Sequence, residues 1–399
     1  MADQPAAAAP SRIASDVALI VAAGCCAGGY VGKVPLALPQ LQADFAMSLV
    51  EASLVISFML LAAVLVGIVG GMVADRFGQR RMMVIGLSTL AFAGLAGAAS
   101  DSVALLLASR ALESVGFLAT VLPGPALLVR QVPPARLRAV MGFWSSYMPA
   151  GMAAVMLAGP WLMQSIGWRG IWAGGAAAAL LLALLVRLRL PADRDVGAAT
   201  VTTGALVAQT LSSPRPWLLA CVFCCYTGQW MGLFGFLPTM YQQLGVGATA
   251  AGWLTAFGVL VNIAGNIGAG ALSARGVPRH RVVILSSLTM LVCAWIVFAG
   301  RAPFALAYGA LLAFSAVGGL IPGTLFASAP SFAPSPRTLS TTTGLMQQGS
   351  AVGQFVTPPL LAAMVAMVGD WSASWLVTGA LALVNVGLAM AMRRVAPRG

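Results

Sequence analysis

Apolar runs of roughly twenty residues, each closed by arginine, proline or glycine, recur at about 17–40, 49–71, 82–100, 104–126, 138–163 and 168–188, then at about 216–240, 249–272, 282–300, 303–328, 340–366 and 371–392. A helix rises 1.5 Å per residue, so ~20 apolar residues cross the ~30 Å hydrocarbon core of a bilayer. Twelve such runs with short connections predict an all-α membrane protein with twelve spanning helices. Composition sharpens the picture: of 399 residues, 60% are hydrophobic and 8% charged, against about a quarter charged in soluble chains. The first fifteen residues, MADQPAAAAPSRIAS, contain one arginine and no small-residue cleavage site behind a short apolar core. The first helix is therefore expected to stay in the mature protein.

The formal net charge of +12 comes from 22 basic residues, 21 of them arginine. A basic balance is also the footprint of nucleic-acid binding, but its placement points to the membrane. One alternating set of connections collects Arg12; Arg76, Arg80 and Arg81; Arg130, Arg136 and Arg138; Arg187, Arg189, Arg194 and Arg215; Arg275, Arg279 and Arg281; Arg337; and Arg393, Arg394 and Arg398. The other set holds only Arg169 and Arg301. Eighteen against two is the positive-inside pattern. Both termini and the central connection are thus expected on the cytoplasmic side of a bacterial inner membrane, against anionic lipid. Nucleic acid is not expected as a partner.

A repeat at an offset of 199 residues divides the chain. Cys25-Cys26 maps onto Cys224-Cys225, Leu38-Pro39 onto Leu237-Pro238, and Gly71 onto Gly270. Near the end of each half, Trp168-Arg-Gly-Ile-Trp172 answers Trp371-Ser-Ala-Ser-Trp375. Two parallel six-helix units are expected, 1–188 and 216–399, joined by a polar linker at 189–215.

Between the second and third runs, Gly71-Met-Val-Ala-Asp75-Arg76-Phe-Gly78-Gln-Arg80-Arg81 resembles the signature loop of the major facilitator superfamily. The resemblance implies two pseudo-symmetric six-helix bundles and transport by alternating access. Glycines in such a loop let the helix pack and turn, and Asp75 can accept hydrogen bonds from the open N-terminus of a neighbouring helix. By the resemblance, that neighbour is the eleventh helix, which starts after Pro336 with Ser340, Thr341, Thr342 and Thr343. Gly71, Asp75, Arg76, Gly78, Arg80 and Arg81 would then latch the cytoplasmic side; a solvated loop that only sets topology is the plainer reading. Ala274 stands where the second half would repeat Asp75.

Ionisable residues inside spans are costly and persist mainly for function or pairing. Three are found: Lys33 in the first helix, and Arg110 and Glu113 in the fourth. Counted along their helices, both cations lie at a common depth, about 10 Å below the outer surface. In the family this chain resembles, helices 1 and 4 line the central cavity, so Lys33 and Arg110 are candidate receivers of an anion. Snorkelling to outer headgroups is the alternative for Lys33, and a structural ion pair the alternative for Arg110 with Glu113, its i+3 neighbour. Arg110-Ala-Leu-Glu113 is also similar to the family's helix-4 motif, which normally has glutamine or a similar polar group where Glu113 stands. Glu113 is therefore the candidate proton carrier.

Tyr30, Tyr147, Gln229, Asn262, Asn266 and Gln347 are candidate substrate contacts among the polar residues of the spans, with helix-to-helix ties as the plainer role. Ser145, Ser146, Gln348 and Asn385 belong to the same polar set. The six cysteines lie in apolar runs without zinc-ligand spacing and read as reduced packing residues; no metal or cofactor is expected. No phosphate-cradling loop occurs, so ATP drive is unsupported. Gly159-Pro160 resembles part of the family's drug-antiporter motif, without its flanking glycines and without an acid in helix 1. The stretch from Gly32-Lys33 through helix 4 to Tyr147-Met-Pro149 is similar to the cyanate and nitroimidazole permease branch. The expected function is secondary transport of a small anion with a proton by a monomer. Drug export is the alternative within the family, and a non-transporting receptor the alternative outside it. An enzyme is not expected, since no span pairs a nucleophile with a base.

Overall fold

The computed structural model describes residues 10–133, 136, 140–141, 144–193 and 203–395, without the side chains of 10–12, 71–76 and 336. Among the described residues, eleven helices are long and apolar enough to cross a membrane. One of them, Tyr147–Arg189, has 43 residues, about twice the length a single crossing needs. Gly167 inside it has φ 65° and ψ −179°, a conformation essentially confined to glycine. The chain turns there, so this segment supplies two crossings, and twelve result.

The crossings are α1 (Pro10–Phe45), α2 (Leu49–Ser57 and Leu61–Phe77), α3 (Gln79–Ala98), α4 (Val103–Val121 and Gly124–Gln131), and α5 and α6 on either side of Gly167. A short linker helix, Thr203–Leu211, precedes α7 (Pro214–Phe234 and Leu237–Gln243), α8 (Ala248–Ala274) and α9 (Arg279–Phe298). Last come α10 (Phe304–Gly318 and Leu320–Phe332), α11 (Leu339–Val368) and α12 (Ser374–Val395). Large apolar side chains such as Phe92, Trp161, Leu188 and Ile267 face outward, as a lipid-facing surface requires.

The internal repeat is carried by equivalent contacts. Gly151 of α5 packs on the Cys25 carbonyl of α1, and Gly353 of α11 packs on the Cys224 carbonyl of α7. A side chain at either glycine would collide with that carbonyl, so α1 with α5 and α7 with α11 form matched close pairs. The tryptophans of the repeat match too. Trp168 Nε1 donates to Asp44 Oδ2 at 2.7 Å, and Trp371 Nε1 donates to Gln243 Oε1 at 2.6 Å. Each indole thereby ties the start of its half's last helix to the end of its first.

At the arginine-rich end, Gly78 adopts φ 89° between α2 and α3, which accounts for a glycine in the signature loop. Just past it, the N–H groups of Arg80 and Arg81 donate to the Asp193 carboxylate at 3.0 and 2.9 Å. Arg80 Nη1 donates to the Leu190 carbonyl at 3.2 Å. Asp193 thus caps the open N-terminus of α3 and pins the beginning of the linker, a role sequence reasoning missed. The expected latch from Gly71, Asp75 and Arg76 to α11 depends on side chains outside the described residues. The linker expectation at 189–215 falls partly on 194–202, also outside them.

Candidate functional site

α2 is not a continuous helix, and its first interruption builds the site. A 3₁₀ turn at Phe58–Leu60 separates its two segments, leaving backbone groups without their α-helical partners in a core that has no water to replace them. α4 supplies the substitutes: Arg110 Nε donates to the Val55 carbonyl at 3.0 Å, and the Ala62 N–H donates to Ser114 Oγ at 2.6 Å. Arg110 is therefore a structural stitch as well as a charge.

The same guanidinium reaches further. Its Nη1 donates to the Tyr30 carbonyl at 3.2 Å and to Glu113 Oε2. Lys33 Nζ donates to the other carboxylate oxygen, Oε1, at 2.6 Å. One acid thus holds two cations, with relative exposures of 2% for Lys33 and 0% for Arg110 and Glu113. The ammonium also lies 3.9 Å from the Tyr30 ring centre and 4.2 Å from that of Trp172, an arrangement that stabilises a desolvated cation. Tyr30 is fixed by its hydroxyl, which donates to the Leu90 carbonyl at 2.9 Å.

Lys33 therefore does not snorkel; its ammonium points into the first half among α1, α4 and α6. With all three groups ionised, the cluster carries one net positive charge. Arg110 Nη2 is buried without a hydrogen-bond partner among the described residues. The repeat gives the second half no equivalent: Lys33 corresponds to Gly232 at the 199-residue offset.

The other expected contacts lie apart from this cluster. The Tyr147 ring lies tilted against Trp144, 4.9 Å between ring centres, and packs against Gly24 of α1. In the second half, Asn262 Nδ2 donates to Tyr226 Oη and to the Ser315 carbonyl, both at 3.0 Å. Asn266 Nδ2 donates to Asn262 Oδ1 at 3.0 Å. Gln229 Nε2 donates to the Cys225 carbonyl at 3.0 Å, while its buried Oε1 has no partner among the described residues. Gln347 is half-buried on α11. Sequence reasoning singled out Lys33, Arg110, Glu113 and Tyr30, which the structure brings together, but missed Trp172, Ser114 and Tyr226. Trp172 had a signal, since it belongs to the repeated tryptophan segment.

The family model of the Major Facilitator Superfamily matches residues 19–347 and again 218–399. The chain belongs to the Major Facilitator Superfamily. The match runs through both six-helix units described above. The structure of a bacterial homologue of the human lysosomal transporter Spinster, inward-facing and occupied, superimposes with a TM-score of 0.79 over 97% of this chain and 98% of that chain, at 15% identity. That likeness speaks for the fold alone. Puromycin resistance protein pur8 of Streptomyces alboniger is 34% identical over 168 residues, 42% of this chain and 33% of that protein. The 4-hydroxybenzoate transporter PcaK of Acinetobacter baylyi is 32% identical over 157 residues, 38% of this chain and 34% of that protein. The alignments thus span about a third of each relative.

Proposed function

We propose that this superfamily member carries a small organic anion together with a proton, by alternating access between units 1–188 and 216–399. In this reading it works as a monomer in a bacterial inner membrane with both termini in the cytoplasm. The observation that carries the proposal is the buried group of two cations and one acid. An entering carboxylate competes with Glu113 for Lys33 and Arg110. A carboxylate left in an apolar core without a cation is neutralised by a proton. Glu113 then takes up a proton as the anion binds, so the two travel together. Tyr147, Gln229, Asn262, Asn266 and Gln347 are proposed to complete the solute path, and the signature loop to latch the cytoplasmic side. An aromatic carboxylate is the first solute to try, in view of the 4-hydroxybenzoate transporter among the relatives.

Proteoliposomes with an alkaline interior are expected to accumulate such an anion. Collapse of the pH gradient should abolish the accumulation. Anion entry that ignores the gradient and survives Lys33→Ala would end this reading.

A second reading, export of a hydrophobic compound, is favoured by the relative named for puromycin resistance. Cells expressing the chain would then tolerate more puromycin than controls. Equal susceptibility counts against it.

A further inference from the structure

We propose that Gln348 of α11 is a clasp that closes the arginine-rich end of the transport path, by inserting its carboxamide into a backbone hydrogen bond of α2. Val66 of α2 has φ −131° and ψ 16°, outside the helical region. In an unbroken helix the Ile68 N–H would donate to the Val64 carbonyl. Here both groups turn to the other half of the protein. The Ile68 N–H donates to Gln348 Oε1 at 3.2 Å, and Gln348 Nε2 donates to the Val64 carbonyl at 2.6 Å. A carboxamide presents one acceptor and one donor side by side, which is what an opened helical bond requires.

The helices approach closely enough for this because two glycines face each other across the crossing. A Cβ at Gly67 would stand 2.9 Å from Gln348 Cβ, and one at Gly344 would stand 3.2 Å from Ile68 Cα. Ile68 is nine residues from the end of α2 at Phe77, and Gln348 is nine from the start of α11 at Leu339. Both count to about 14 Å from the arginine-rich end, so the partners meet at one depth. Two turns nearer that end, Thr341 Oγ1 lies 2.5 Å from Thr210 Oγ1 of the linker helix, which seats the linker against the same part of α11.

An inserted side chain is a recognised cause of a helix kink, and it makes α2 a two-state element. With the halves together, α2 is kinked and clasped. With the halves apart, the Ile68 N–H and the Val64 carbonyl pair with each other and α2 straightens. Neither arrangement strands a backbone group in the bilayer. The matching pair α5 and α8 is bonded towards the opposite end instead, where α5 nears Gly167 and α8 begins, by Trp253 Nε1 donating to the Leu157 carbonyl at 3.1 Å and Gln164 Nε2 donating to Thr249 Oγ1 at 3.3 Å. The clasp is thus a feature of the α2–α11 crossing, and it operates whichever solute is carried.

The test measures the separation of the halves in the full chain, reconstituted in lipid without substrate. Spin labels replace the exposed Leu188 and Arg281, which sit on different halves at the arginine-rich end, in a background freed of native cysteines. Gln348→Leu, which keeps bulk and loses the amide, is expected to raise the ratio of wide to narrow distances about tenfold, as loss of one or two net hydrogen bonds would. Gly344→Val is expected to act in the same direction by wedging the crossing with the amide intact. If either variant folds poorly, the other still decides the matter. An unchanged distance distribution in a folded Gln348→Leu or Gly344→Val protein would overturn the proposal.

Discussion

Glu113→Ala is expected to remove most of the folded protein. The substitution leaves Lys33 and Arg110 buried beside one another without the acid that holds both. Breaking a buried ion pair by deleting one partner costs about 3–5 kcal/mol, a large share of the ~5–15 kcal/mol that holds a folded domain together. Monodisperse yield after detergent extraction and the apparent melting temperature report the loss. Lys33→Met combined with Glu113→Gln removes an acid and a base together and leaves the net charge of the cluster unchanged. Arg110 keeps its bonds to the Val55 and Tyr30 carbonyls in that double variant, so stability is expected to recover while coupled transport does not. Wild-type stability of Glu113→Ala would show that the carboxylate is not holding the two cations.

Arg110→Lys should be nearly as damaging although it preserves the charge. The guanidinium serves the Val55 carbonyl, the Tyr30 carbonyl and Glu113 from fixed, separate nitrogens. A single ammonium cannot reproduce that planar fork. An unpaired buried carbonyl is worth about 1–3 kcal/mol, and the one at Val55 lies where α2 is already interrupted. The expected result is a lower melting temperature together with loss of anion uptake. A lysine variant with full uptake would mean that Arg110 contributes charge alone.

Much of this architecture was legible because bilayer physics writes itself into sequence. Backbone groups must be satisfied within each span, so apolar runs mark the helices. The 199-residue offset read from Cys25 and Cys224 reappears as Gly151 and Gly353 each packed on one of those cysteine carbonyls. Lys33, Arg110 and Glu113 stood out because charge inside a span is rare, and the structure joins all three. Sequence did not show which way Lys33 points. That direction depends on the ring of Trp172, which comes from α6, far along the chain, and on how Tyr30, one turn earlier on α1, is held. The breaks in α2 were equally hidden, since its residues 58–68 read as an unbroken apolar run. Their partners, Arg110, Ser114 and Gln348, are side chains on other helices. Asp193 was hidden for a similar reason: it sits in a polar linker, and only the fold brings it to the first N–H groups of α3.

Proton movement driven by solute tests the coupling role of the buried cluster most directly. A pulse of a transported anion added to proteoliposomes of the wild-type protein should make the outside medium more alkaline, in fixed proportion to the anion taken up. Vesicles carrying the stable Lys33→Met, Glu113→Gln protein should show no proton uptake tied to the anion. An alkaline signal of undiminished size per anion in that double variant would contradict the account.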